Sequence, residues 1–136
     1  MQALFPFFSE KPFFYRIFGF YFLTIKPNSM KYCMLHKHED HHSVTFSSLE
    51  LASSPFQELG HDGGGYDWQS VLQYHLQQEN KELLQRFRFD CEGSMFCAYG
   101  KEVNALKEVV ALLEDFVDNP DKLKAIIPQV PDELWD

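Results

Sequence analysis

The apolar positions of this chain change period several times, and each change marks an element. Trp68, Val71, Leu72, His75 and Leu76 fall at i, i+3, i+4, i+7 and i+8, one face of a helix that the pattern carries from Asp67 to about residue 78. Asp67 has the chemistry of its N-cap, and the helix continues or restarts through Asn80-Lys81-Glu82-Leu83-Leu84. Leu106, Val109, Val110, Leu113, Phe116 and Val117 trace a second stripe and predict a long helix over roughly 101–118. Asn119-Pro120-Asp121 then signals a new start, and Leu123, Ile126 and Ile127 give a short helix that Pro128 ends.

Between these stripes the period falls towards two. Lys31 to His36 reads as a strand, Lys37 to His42 as a polar turn, and Ser43 to Leu49 as a strand with Val44, Phe46 and Ser48 on one side, together a hairpin. Ser53 or Ser54 before Pro55 starts a short helix, Phe56 to Leu59, that Gly60 closes. Arg86 to Cys91 and Met95 to Tyr99 flank Glu92-Gly93-Ser94 and predict a second hairpin. Alternation with a loop centred on Gly93 puts Phe87, Phe89 and Cys91 on one face with Met95, Cys97 and Tyr99, and Arg86, Arg88 and Asp90 on the other with Phe96 and Ala98. The order ββα(α)ββαα defines an α+β domain, a small antiparallel sheet of two hairpins with helices packed mainly on one face.

Residues 1–29 do not fit either period. They hold ten of the 22 aromatic residues and Pro6, Pro12 and Pro27, with neither helical spacing nor clean alternation. We read them as an extension ahead of a single domain over residues 30–136, non-native if Met30 is the natural start; the other reading adds Phe13–Ile25 to the sheet as an aromatic strand. The apolar run Ile17–Ile25 is too short to cross a membrane, which takes about 20 residues. At 136 residues the chain is long enough to bury one real core.

Charge narrows the partners. The formal net charge is −8, and residues 30–136 alone carry nine basic and 19 acidic residues. Nucleic-acid binding needs the opposite surplus, so the balance favours a basic partner or solubility. Cys33, Cys91 and Cys97 are an odd number without zinc-ligand spacing, as expected of a reduced, cytoplasmic protein. A symmetric loop makes Cys91 and Cys97 diagonal neighbours about 7–8 Å apart, too far for an easy disulfide.

The stretch His61-Asp62-Gly63-Gly64-Gly65-Tyr66-Asp67-Trp68 organises the centre of the chain. Gly63, Gly64 and Gly65 mark a loop needing unusual dihedrals or close approach by another group, Trp68 anchors the following helix to the core, and Tyr66 and Asp62 stay near solvent. Glycines before a helix invite comparison with phosphate loops, but no Lys-Ser/Thr pair follows and Asp67 occupies the place of the anion. His36, His38, His41 and His42, with Glu39 and Asp40, are the one cluster of metal-ligand types; a solvated turn accounts for them without a metal, and no cofactor is expected. Nothing forms a nucleophile–base set.

Taken together, the opening hairpin, Phe56-Gln57-Glu58-Leu59-Gly60, Gly63-Gly64-Gly65-Tyr66-Asp67-Trp68 entering a helix, and Phe89-Asp90 with Met95-Phe96-Cys97-Ala98-Tyr99 resemble the bacterial immunity protein family 51 of polymorphic toxin systems, over Met30 to about Ile127. The resemblance implies a small cytoplasmic protein that neutralises a cognate toxin domain by stoichiometric binding, without catalysis. It transfers no contact residues. From the sequence itself, Glu58, Asp62 and Tyr66 are the first partner-binding candidates, because they flank a backbone with no side chains to obstruct approach. Trp135 in the acidic tail Pro131–Asp136 is the second, with a frayed terminus as its other reading. A non-toxin binding module and a small enzyme are the competing functions. Oligomeric state leaves no trace in the sequence.

Overall fold

The computed structural model describes residues 30–47 and 49–135. Both readings of residues 1–29 therefore lie outside the described residues. The fold is α+β, as the pattern predicts. Strands β1 (Cys33–Lys37) and β2 (His42–Phe46) form the first hairpin, and β3 (Arg88–Phe89) and β4 (Phe96–Gly100) the second. The hairpins join through an antiparallel β2–β4 pairing, giving a four-stranded sheet in the order β1-β2-β4-β3. Between them run helices α1 (Leu49–Ala52), α2 (Ser54–Glu58), α3 (Gly65–Glu79) and α4 (Lys81–Leu84); α5 (Val103–Asp118), α6 (Pro120–Ile126) and two 3-10 turns, Ile127–Gln129 and Asp132–Leu134, complete the chain.

The helical stripes bury as read except at His75 and Val117, which are half-buried. Ala105, Leu106, Val109, Val110, Leu113 and Phe116 of α5 are all buried, as are Trp68, Val71, Leu72 and Leu76 of α3. The two helices cover the sheet face that carries Val44, Phe46, Phe96 and Ala98. Asn80 separates α3 from α4 and caps the latter by accepting the Leu83 N–H at 3.1 Å, so the helix restarts rather than continues.

Three expectations are corrected. The second strand ends at Phe46, not Leu49, because Leu49 turns inward as the first residue of α1 and is buried. Asp67 is not the N-cap of α3. Gly64 holds that position, and Asp67, one turn in, reaches back to accept the Gly63 N–H at 2.8 Å. The carboxylate still satisfies a donor at the positive end of the helix.

The third correction is the register of the second hairpin. Glu92 pairs with Met95 and their backbones exchange hydrogen bonds of 2.8 and 3.2 Å, so the loop has two residues, Gly93 and Ser94, instead of three. Phe89 stands opposite Ala98 and Arg88 opposite Tyr99. A slip of one residue sends every side chain of a strand to the other face. Phe96 and Ala98 are therefore core, fully buried with Phe87 and Phe89 beside them, while Tyr99 points to solvent at 38% exposure. Cys91 lies with its Sγ 3.3 Å from the Cys97 backbone nitrogen, and all three cysteines are free and buried. Burial pushes the Cys33 thiol up to about 12 and that of Cys91 to about 11, which keeps both protonated and unreactive at neutral pH.

The β1 edge is closed at its start. The backbone N–H groups of Tyr32 and Cys33 both donate to Glu114 Oε2 of α5, at 2.9 and 3.2 Å, while Lys31 Nζ and the Tyr32 hydroxyl bind Asp118 at 2.8 and 2.9 Å. Donors that would otherwise template another strand are thereby occupied.

His75, read as a helix-boundary residue, is half-buried with its ring edge-on to Phe116 at 5.3 Å. Burial lowers its pKa below the usual 6.5, against the opposing pull of Glu79 and Asp115. A histidine whose folded pKa is depressed binds its proton more readily when unfolded. Its contribution to stability is complete above about 6.5 and is lost as pH falls from there towards the folded value. Thermal melts of wild type and His75→Gln between about pH 7.5 and 5 should show a steeper acid decline for wild type; parallel curves would remove His75 as the cause.

Candidate functional site

The glycine loop is held by protein, not left open for a ligand. Gly63 has φ +81° and packs so closely on Ser53 that a Cβ would overlap the Ser53 side chain. Gly65 lies against the turn of the second hairpin, donating its N–H to Gly93 O at 3.1 Å, and a Cβ there would overlap the carbonyl oxygens of Glu92 and Met95. Gly64 meets Gly93 O in the same way. Both alternatives that the sequence offered occur: Gly63 takes a positive φ, and the close approach to Gly64 and Gly65 is made by the β3–β4 turn. Trp68 follows, fully buried, with Phe46 and Phe56 each at 5.2 Å between ring centroids.

This rigid base presents a surface. Tyr66 emerges from the first turn of α3 at 43% exposure, and Asp62 and Leu59 are exposed beside it. The tail docks here instead of fraying: Trp135 is half-buried and stacks on the His61 ring, with centroids 3.9 Å apart and planes 23° from parallel. Ser70, buried on α3, lies with its hydroxyl 2.6 Å from Leu134 O and 3.0 Å from Tyr66 O, and its one hydrogen can serve either. Two patches that are 69 residues apart in sequence at Tyr66 and Trp135 form one surface, with Asp132 and Glu133 exposed at its margin. Ser70, a polar residue at a buried helical position, is the one sequence signal of a tail docked on α3.

Glu58 is less free than expected. Its carboxylate pairs with Lys124 of α6 at 3.1 Å and accepts from the Ser54 hydroxyl at 3.3 Å, and the Lys124 contact holds its pKa below the usual carboxylate range. It remains exposed, but as half of an ion pair.

His36, His38 and His41 lie on the outer side of the first hairpin, whereas His42 alternates with Val44 and Phe46 on the inner face and its Nδ1 is buried. His36 Nε2 lies 2.9 Å from Thr45 Oγ1 and His38 Nε2 2.8 Å from Ser43 Oγ, while His41 stacks on His38 at 4.4 Å and bonds Asp40 at 2.8 Å. Among the described residues no group of three His, Cys, Asp or Glu side chains is arranged to hold a metal ion.

An enzyme would need perturbed titratable groups converging on a cleft. Glu108, raised by burial, and His75 both line a cleft of about 360 Å³ between α3, α4 and α5. Each is otherwise engaged: Glu108 faces Arg86 at 3.5 Å and His75 packs on Phe116. The described residues give no hydrogen bond between them.

What the residues form is an α+β protein with Asp62, Tyr66 and Trp135 exposed or half-buried around the packed glycine loop. Residues 33–130 match the family described as immunity protein 51, and the chain belongs to that family. Comparison with curated proteins and with solved structures gave no match. No helix among the described residues is long and apolar enough to cross a membrane.

Proposed function

We propose that this immunity protein acts in the cytoplasm by stoichiometric binding of a basic cognate toxin domain, such as a nuclease, through the surface formed by Asp62, Tyr66 and Trp135, with Glu58 at its edge. Membership of the immunity protein 51 family carries the reading. The formal charge of −8 supports a basic partner, because opposed charges accelerate encounter and penalise wrong partners. Tyr66 and Trp135 supply large rigid anchors of the kind that dominate interface energies, and Asp62, Asp132 and Glu133 supply a charged rim. No catalysis and no cofactor enter this mechanism: protection follows from occupancy.

The test is co-expression with the toxin encoded beside it, using wild type and the double variant Asp62→Lys, Tyr66→Ala, after an equal thermal melt shows that the variant is folded. Losing an anchor worth about 2 kcal/mol weakens binding roughly 30-fold. The expected result is lost protection, faster dissociation from Tyr66→Ala, and slower association with weaker salt dependence from Asp62→Lys. Full protection with unchanged kinetics would place the interface elsewhere.

A further inference from the structure

At the opposite end of the second hairpin from the glycine loop, the surface has another character. Asp40 and His41 of the β1–β2 turn, Arg86 to Arg88, and Tyr99 to Glu102 enclose a cleft of about 520 Å³. That volume lies within the roughly 300–1,000 Å³ typical of sites that enclose a ligand group. The register puts Arg88 directly opposite Tyr99, so both side chains emerge on the same, outer face of the sheet.

Unpaired cations gathered beside an aromatic side chain set this cleft apart; among the described residues Lys37, Lys81 and Lys107 also lack an ion pair but do not line it. Lys31, Lys122 and Lys124 are paired with Asp118, Asp115 and Glu58. Among the described residues, Arg88 and Lys101 have no carboxylate within 4.0 Å. Arg86 is braced between two carboxylates, Nε on Glu102, the residue before α5, at 3.1 Å and Nη1 on Glu108 of α5 at 3.5 Å, which leaves Nη2 without a partner among the described residues. A guanidinium fixed in this way donates without first losing rotamer freedom. Tyr99 forms an exposed aromatic wall with the His41 ring edge-on at 6.2 Å.

We propose that this cleft is a second interaction site, which takes a short acidic segment of a partner protein, its carboxylates received by Arg88 and Lys101 with Arg86 Nη2 behind them. Guanidinium and carboxylate match as planar forks, and a carboxylate is the group that two unpaired cations beside an aromatic wall satisfy best. Nucleic acid offers anions too, but as a continuous strand of charge. Asp40 and Glu102 also line the cleft, so it has room for one or two carboxylates at a time; those of an acidic peptide sit on flexible side chains and can enter singly, whereas the phosphates of a nucleic acid are fixed along its backbone. The site is independent of the aromatic and acidic surface proposed above, and its test contains no toxin.

The experiment is an NMR titration of the full-length 15N-labelled chain with three probes: a hexaglutamate peptide, a hexalysine peptide and a six-nucleotide single-stranded DNA. Hexaglutamate should shift the amides of Arg88, Tyr99, Gly100 and Lys101 saturably, with the DNA at least tenfold weaker and hexalysine leaving these amides unmoved. The double variant Arg88→Ser, Lys101→Ser alters two exposed side chains, so an unchanged melt is expected alongside at least a tenfold loss of hexaglutamate affinity. A single Arg86→Lys variant, which keeps the charge but loses the fork, should weaken binding by a smaller factor. Shifts located elsewhere, shifts that persist in the double variant, or DNA binding as tight as the peptide would each overturn the proposal.

Discussion

Trp68→Ala should destabilise the protein by about 3–5 kcal/mol, because truncating a buried aromatic loses its transfer free energy and leaves a cavity that close-packed neighbours fill only in part. Trp68 is fully buried and wedged between Phe46 of β2 and Phe56 of α2, each 5.2 Å from its ring. It therefore ties together α3, β2 and α2. Against a total of about 5–15 kcal/mol for a domain of this kind, the loss is a large share. Chemical denaturation of wild type and variant checks it, with the midpoint falling and the slope unchanged. A variant as stable as wild type that no longer protects against a toxin would make Trp68 a contact residue instead of a core anchor.

Gly65→Ala should be nearly as damaging, for a different reason. Its backbone does not need positive φ, but the added methyl would overlap the Glu92 and Met95 carbonyl oxygens, which belong to a hydrogen-bonded turn and cannot rotate away as a flexible side chain could. Forced insertion of this kind costs about 1–3 kcal/mol or more, and here it would also break the Gly65 N–H bond to Gly93 O. Gly93→Ala is the matched control: it sits across the same contact, lacks positive φ and meets nothing within 4 Å, so its effect should stay within about 0.5 kcal/mol. Comparable melts for the two variants would show that the loop can move off the hairpin turn, and that the glycines serve something other than this close approach.

The second of these expectations rests on a contact that the sequence could announce but not identify. Three consecutive glycines call for unusual dihedrals or for something close to the backbone, and the chain contains no statement of whether that something is a ligand, a partner or another strand turn. The contact pairs Gly65 with Gly93, and the choice of partner depends on where α3 lands on the sheet. The same holds for the tail. Trp135 in an acidic terminus reads first as a frayed end and only second as a contact residue until Ser70 and His61 are seen to receive it.

What the sequence determined by itself is what local physics controls. The 3.6-residue stripes located α3 and α5 because one helical face must be apolar wherever the core lies, and Asn80 and Pro120 punctuated the helices through caps and missing donors that act within a single turn. Alternation in Val44 and Phe46 located the first hairpin for the same reason. Tertiary structure alone decided the rest. In β4 both alternating sets, Phe96 with Ala98 and Cys97 with Tyr99, are apolar enough to be buried, so composition could not choose the inward face, and a loop shorter by one residue chose it. That choice put Tyr99 and Arg88 on the outside together, and with them the cleft at Lys101. The pairing of β2 with β4, and the meeting of His61 with Trp135, join residues 50 or more positions apart, and contacts at that range are set by how the helices stack on the sheet, which no window of sequence contains.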